Sequence, residues 1–378
     1  MKIFKEAILP LGFKANGIAC GLKKSHKLDL ALFYTHKPAK TACKFTVNKI
    51  CAAPVKINKK YLKVDKIFQA IIVNSGNANC FTGNPGIRDA EETARALAGI
   101  LHIKKERVLV SSTGVIGKRL PLLKIKKAIP ELAAGLSHQG VSKAKKAILT
   151  TDTFAKEITV KFKIGKEVVT LCGVAKGAGM IAPNMATMLA FILTDANITQ
   201  GALDKALDIC VDNSFNCISV DGCMSTNDTV ALLANADAGN KVIDTAKHFD
   251  LFARALGIVC LELAKMIVKD AEGATKFIRI QVSGAKDFCE ARTIALAIAN
   301  SNLFKTAMYG ENPNFGRIAS AVGASNVDIK EKDLKIKVSP LNKKEIDVCV
   351  SINRGKAEAV VYTSDLTPEY IRINAEYN

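Results

Sequence analysis

Tryptophan is absent from the 378 residues and histidine occurs only five times, at positions 26, 36, 102, 138 and 248, so chemistry built on imidazole has few places to sit. The eleven cysteines are scattered, with no C-x-x-C pair, whereas a disulfide framework or a zinc site would cluster them. That spacing predicts buried thiols in a reducing cytoplasm. The longest apolar stretch, Met185 to Leu193, is interrupted by Thr187 and is far shorter than the ~20 residues a bilayer requires. The first residues are broken by Lys5 and Glu6 and have no signal-peptide core. Neither G-x-x-x-x-G-K-[ST] nor a complete G-x-G-x-x-G occurs, since Ala182 stands where the third glycine after Gly177 and Gly179 would fall. G-x-S-x-G and H-E-x-x-H are also missing, which excludes the common hydrolase elbow and the common zinc helix.

What is present reads as a folded, basic protein. Apolar residues make up 49% and charged residues 24%, which excludes a disordered chain, and the length suits one large domain or two lobes. Fifty-four Lys and Arg against 35 Asp and Glu give a formal charge of +19. Such an excess allows nucleic-acid or membrane-surface binding and equally suits an enzyme that gathers small acidic metabolites. The lysine clusters at 104–105, 124–127 and 143–146 have no interleaved aromatics of the kind that stack on single strands, and read as solvated faces.

Short β-branched runs alternate with helical patterns. Ala70–Asn74 and Arg107–Ser111 read as buried strands, and Phe277–Val282, Leu334–Val338, Ile346–Ile352 and Ala359–Tyr362 as further strands. Asp89–Leu101 carries Ala94, Leu97, Ala98 and Leu101 at helical spacing, with Asp89, Glu91 and Glu92 in what would be its first turn. Ala246–Val268 is a long amphipathic helix striped by Phe249, Phe252, Leu256, Val259, Leu263 and Ile267. The pattern is that of an α/β or α+β protein with substantial sheet.

Five segments rich in glycine and small polar residues punctuate this pattern, at 74–79, 111–117, 176–189, 225–229 and 270–275. All five histidines lie outside them, so a nucleophile there needs another base. A threonine made N-terminal by chain cleavage supplies one, because its own α-amine, with a pKa of about 7.7–8.0, sits beside the hydroxyl. Thr187 fits that demand: Pro183-Asn184 suits a turn, Ala186 leaves its carbonyl accessible, and an apolar run reading as a buried strand follows. A purely structural threonine ahead of a strand reads the same way.

The run Lys176-Gly-Ala-Gly-Met-Ile-Ala-Pro-Asn-Met-Ala-Thr-Met-Leu189 resembles the signature of the ornithine acetyltransferase (glutamate N-acetyltransferase) family. The likeness extends in order through Ala15-Asn-Gly-Ile-Ala-Cys-Gly-Leu-Lys23, Asn74-Ser-Gly-Asn-Ala-Asn79, Ser112-Thr-Gly-Val-Ile-Gly117, Thr150-Thr-Asp-Thr153 and Ser214-Phe-Asn216. It continues through Val220-Asp-Gly222, Ser225-Thr-Asn-Asp-Thr229, Glu272-Gly-Ala-Thr-Lys276, Pro313-Asn-Phe-Gly-Arg317 and Ile373-Asn-Ala-Glu-Tyr377, and so covers essentially the whole chain.

The resemblance implies a layered, N-terminal-nucleophile-like α/β architecture in two lobes. It also implies a cytoplasmic enzyme that cuts itself between Ala186 and Thr187 into fragments 1–186 and 187–378, which stay together as an α2β2 assembly. Thr187 would carry acetyl from N-acetylornithine to glutamate, with Thr113 and Gly114 stabilising the oxyanion. Lys176 would meet the substrate α-carboxylate and Glu272 the ornithine amine, while Thr150 and Asn374 would make polar substrate contacts. No metal, nucleic acid or membrane is implied, and no coenzyme beyond acetyl-CoA as an optional co-substrate. Three departures from the family pattern stand out: the chain stops at Asn378 without a further Thr or Ser, Cys223-Met224 replaces an acidic/hydroxyl pair, and Phe315 stands where Trp is common. The rival readings are an amidase or aminopeptidase with the same nucleophile and a catalytically silent basic binding protein.

Overall fold

A computed structural model describes residues 1–182 and 188–376. The expected cleavage pair Ala186 and Thr187 lies outside the described residues. Two compact units emerge, the first holding described residues 1–177, 188–213 and 225–263, the second 178–182, 214–224 and 264–376. The units do not divide at the expected cut, since stretches from both sides of it occur in each.

The first unit is built on nine strands: β1 (Lys2–Phe4), β2 (Phe13–Ile18), β3 (Leu30–Phe45), β4 (Ile67–Asn77), β5 (Val108–Val115), β6 (Lys156–Ile164), β7 (Glu167–Lys176), β8 (Leu189–Thr194) and β9 (Thr229–Ala234). They run in the order β1-β6-β7-β8-β9-β3-β4-β5, with β2 on β3. The long β3 keeps β4 along one edge, over Leu30–Tyr34 and again at Ala39 and Lys40 past an irregularity, while its other edge passes from β2 to β9 over Lys40–Phe45. The sheet therefore doubles over. Side chains of β4 and β5 share one core with Cys172 and Val174 of β7 and with residues of β8 and β9, and the Phe33 and Phe191 rings lie 5.6 Å apart.

Helices close the outer faces. Asn58, on the helix Ala53–Val64, accepts from Val110 N and donates to Val110 O on β5. On β7, alternation turns Gly173 the other way from Cys172 and Val174, toward Val259 and Leu263, where a Cβ would lie 2.6 and 2.8 Å from their side chains. Only glycine lets helix and strand approach so closely. The layering is helix, sheet, sheet, helix, the mixed α/β class read from the sequence. The parallel pair β4/β5 is joined through the helix Gly83–Leu101, and the parallel pair β8/β9 through Gln200–Asp212.

The second unit has its own sheet, β11 (Lys335–Val338), β12 (Glu345–Ser351), β10 (Phe277–Ala285) and β13 (Ala357–Ser364) in spatial order, with the helix Phe288–Ala299 packed on β10 and β13. The four strands expected there are present, each shifted or extended by a few residues.

Two expectations need correction. The helix expected from Asp89 begins at Gly83, and Asp89 is a buried mid-helix residue holding Arg119 through Nε at 2.7 Å and Nη2 at 3.0 Å. Pro85 is tolerated in a first turn, so the Gly83-Asn84-Pro85 run opens the helix rather than preceding it. Buried thiols are found at Cys80, Cys172, Cys210, Cys217 and Cys260, but Cys223, Cys289 and Cys349 are exposed. The helix read over Ala246–Val268 runs Phe249–Lys269, with all six stripe residues buried. Lys104, Lys124, Lys126, Lys127, Lys143 and Lys146 are exposed, as solvated faces require.

Candidate active site

In the first unit the glycine-rich motifs converge at the carboxyl ends of β4 and β5, where open α/β sheets commonly bind ligands. Ser75 pairs with Thr113 and Gly76 with Gly114. Gly114 has φ +131°, and a Cβ there would lie 2.4 Å from the Gly76 carbonyl carbon and 2.6 Å from Asn77 N. No other residue fits, because the obstacle is backbone. Amides fix the turn: Ser112 Oγ donates to Asn74 Oδ1 at 2.6 Å, Asn74 Nδ2 donates to Asn77 O at 2.8 Å, and Asn77 Oδ1 accepts from Asn79 N at 2.8 Å. Thr113, almost fully buried, is thus held on a rigid strand end.

Asn227 and Asp228 tie this turn to the start of β8. Asn227 Nδ2 donates to Ala78 O at 2.6 Å and to Ser112 O at 2.7 Å, and Asp228 Oδ1 accepts from Met188 N at 2.9 Å. Two consecutive side chains therefore reach the residue before Thr113 and the residue after Thr187. Burial pushes the Asp228 carboxyl well above the usual carboxylate range, outweighing its hydrogen bonds from Met188 and Ser225 and the charge of Lys176, and its Oδ2 has no hydrogen-bond partner among the described residues.

At the ends of β6 and β7 lies a buried charged array. Lys176 Nζ donates to Thr150 Oγ1 at 2.7 Å and stands 3.7 Å from Asp152 Oδ2, while Lys156 Nζ donates to Asp152 Oδ1 at 2.6 Å. The structure thus brings together Thr150 and Lys176, two of the residues expected to meet substrate. Burial alone would raise Asp152, but the Lys176 and Lys156 ammonium groups override it and hold the carboxyl well below its ordinary value.

In the second unit Glu272 N donates to Ala178 O at 3.0 Å, and Asn374 Nδ2 donates to Glu272 Oε2 at 2.9 Å, so the expected residues Glu272 and Asn374 are direct partners. Gly179 lies beneath Glu272, where a Cβ would come within 2.3 Å of Oε2. Asp221 orders the same region: Oδ2 accepts from Met180 N at 2.6 Å and from the Tyr370 hydroxyl at 3.1 Å, and Oδ1 accepts from Ile181 N at 2.9 Å and Cys223 N at 3.1 Å. Tyr370 belongs to the helix Pro368–Ala375 that carries Asn374. Asp221→Ala removes an acceptor from four donors and is expected to destabilise the fold by about 2 kcal/mol, at the scale of one or two charge-assisted bonds, read as a lower urea midpoint with unchanged slope.

Asp152, Asp221, Asn227 and Asp228 were not singled out from sequence. Each sits inside a motif that was, and the available signal was a carboxylate or amide amid Ser, Thr and Gly with no neighbouring Arg. Among the described residues no group of three or more His, Cys, Asp or Glu could hold a metal ion, and no helix is long and apolar enough to cross a membrane.

A strand-end turn fixed by buried amides and a buried lysine held on a threonine hydroxyl are polar groups set in place ahead of any ligand, as a site for a small polar molecule requires. The chain belongs to the ArgJ family, whose model matches residues 14–378. It is 45% identical over 394 aligned positions to the arginine biosynthesis bifunctional protein ArgJ of Caldanaerobacter subterraneus subsp. tengcongensis, spanning 98% of this chain and 97% of the relative. It is 42% identical to the protein of the same name from Geobacter sulfurreducens, spanning 97% and 98%. The crystal structure of arginine biosynthesis bifunctional protein argJ from Bacillus halodurans matches at 38% identity and a TM-score of 0.46, covering 49% of this chain and 98% of its own. That of an ornithine acetyltransferase from Mycobacterium tuberculosis complexed with ornithine matches at 35% identity and a TM-score of 0.45, covering 48% and 97%.

Proposed function

We propose that this chain cuts itself between Ala186 and Thr187 and then moves the acetyl group of N2-acetyl-L-ornithine to L-glutamate through an acetyl ester on Thr187. The chain is an acetyl-transferring enzyme of arginine biosynthesis. The observation that carries the Thr187 mechanism is the Asn227–Asp228 pair, which anchors Met188 and Ser112 and so ties the flank of the expected nucleophile to the flank of the expected oxyanion turn.

In self-cleavage the Thr187 hydroxyl attacks the Ala186 carbonyl carbon, the peptide C–N bond breaks as the ester C–O bond forms, which frees the α-amine, and water then hydrolyses the ester to free the Thr187 hydroxyl and the Ala186 carboxylate. In transfer that amine takes the hydroxyl proton, Thr187 Oγ attacks the acetyl carbonyl, and the tetrahedral oxyanion is met by donors of Thr113 and Gly114. The C–N bond to ornithine breaks and its amine leaves with the proton held by the α-amine. The amine of glutamate then attacks the ester carbonyl, the bond to Thr187 Oγ breaks, and a proton passes from the incoming nitrogen through the α-amine to that oxygen. Lys176 with Thr150 receives the α-carboxylate, and Glu272 with Asn374 receives the ornithine side-chain ammonium. Acetyl-CoA enters as an alternative acyl donor to the same threonine. The two fragments remain associated as α2β2 in the cytoplasm, and neither nucleic acid nor membrane takes part.

Freshly purified protein tests this reading. It should show two fragments on a denaturing gel and form N-acetylglutamate from N-acetylornithine and glutamate. Active protein running as one intact chain would overturn the nucleophile assignment, and release of acetate without transfer would favour the amidase reading. Repeating the assay with acetyl-CoA in place of N-acetylornithine tests the second donor.

A further inference from the structure

The carboxylate of Asp152 is enclosed and serves more groups of the first unit's site than any step above uses. Its side chain and that of Lys156 have no exposure, and Lys176 retains 3%. Oδ1 accepts from Lys156 Nζ at 2.6 Å and from Gly177 N at 2.6 Å, while Oδ2 accepts from Thr150 N at 2.9 Å and faces Lys176 Nζ at 3.7 Å. One carboxylate thus holds the backbone of Thr150, the backbone just after Lys176 and the Lys176 ammonium, and that ammonium donates to the Thr150 hydroxyl at 2.7 Å. Thr150 and Asp152 also line a cleft of about 610 Å³ together with Lys23, Lys27 and Lys146.

A lysine at the end of four rotatable bonds is a poor locator of an anion, because its side chain carries about 2 kcal/mol of rotamer entropy. Out of water, an ammonium also loses its proton readily unless a carboxylate stands by. Asp152 answers both needs. The titratable groups facing it are Lys156 at the start of β6, Lys176 at the end of β7 and Lys23 from the loop before β3, and Lys176 is also felt by Asp228.

We propose that Asp152 is a positioning residue for acetyl transfer: it fixes Thr150 and Lys176 as one preassembled pair, so that the substrate carboxylate meets the ammonium at a single place. This rests on the assignment of Lys176 to the substrate carboxylate. Lys156 supplies the second positive charge that keeps Asp152 ionised, and makes no substrate contact.

Steady-state kinetics of four proteins with N-acetylornithine, from pH 6 to 9, decide the matter: the wild type, Lys176→Met, Asp152→Asn, and the double variant Asp152→Asn/Lys156→Met. Asp152→Asn is expected to raise KM by roughly 10- to 100-fold, the scale of a misplaced binding group, with kcat near the wild-type value. The double variant removes the Lys156 ammonium together with the carboxylate that faces it and is expected to unfold at a higher urea concentration than Asp152→Asn while keeping the raised KM. Because that variant restores folding, the test stands even if Asp152→Asn alone folds poorly. Wild-type KM in either Asp152 variant would overturn the proposal. An unchanged KM in Lys176→Met would instead overturn the substrate assignment beneath it.

Discussion

Thr187→Ala is expected to abolish acetyl transfer and to leave the chain uncut. On the mechanism proposed above, removing Thr187 takes away both the attacking oxygen and the cleavage that makes its base. The loss in kcat should be on the order of 10⁶-fold, as for the nucleophile of a serine hydrolase. The measurement is paired: a denaturing gel that turns from two bands to one, and N-acetylglutamate formation that falls to background. Thr187→Ser keeps an oxygen at the same position and should recover cleavage and part of the rate. Transfer at even a hundredth of the wild-type rate by Thr187→Ala would end the covalent mechanism, whatever the gel shows.

Gly114→Ala is the second large effect. The residue sits at φ +131°, a region alanine avoids, and the added methyl would fall 2.4 Å from the backbone of Gly76. Neither strand end can yield, because the Asn74, Asn77 and Asn79 amides brace the turn from within and Asn227 holds Ser112 from outside. The turn must open, and Thr113 moves with it. A misaligned oxyanion donor typically lowers the rate by ~10²–10³. The expected result is a fall of that size in kcat with little change in KM, and slower self-cleavage, since both reactions pass through a tetrahedral oxyanion. A normal kcat with a raised KM would show that the turn binds substrate instead of stabilising charge.

What was legible in the sequence depended on whether the physics was local. The helix Phe249–Lys269 was clear because six apolar residues repeat on one stripe over five turns. The strands of the second unit were visible because alternation over few residues is enough to mark them. The helix at Gly83 was misplaced because Asp89 has the look of a first-turn anion, and its true partner, Arg119, is brought to it only by the fold. The doubled sheet was beyond reach for the same reason. Nothing between Tyr34 and Ala39 announces that β3 will exchange β2 for β9 along one edge.

The candidate site divides along similar lines. Thr150, Lys176, Glu272 and Asn374 were found through ordered likeness to a family, and the structure adds that they fall into two bonded pairs. Asp152, Asp221, Asn227 and Asp228 escaped because each acts on the main chain of remote residues, and in the sequence they pass for ordinary turn residues. Gly179 shows the converse. Its spacing from Gly177 starts a dinucleotide fingerprint that Ala182 leaves incomplete, and what it accommodates is the carboxylate of Glu272.

The place of β8 has one more consequence. This strand is inlaid between β7 on one side and β9 on the other, and β9 in turn is laced to β3. Severing the backbone just ahead of β8 unpicks none of those ladders. The severed pieces would share two full seams of main-chain hydrogen bonds, and pulling them apart would mean tearing the sheet down its middle. Dilution alone should never part them, and each piece made separately would be left with raw strand edges and little reason to stay in solution.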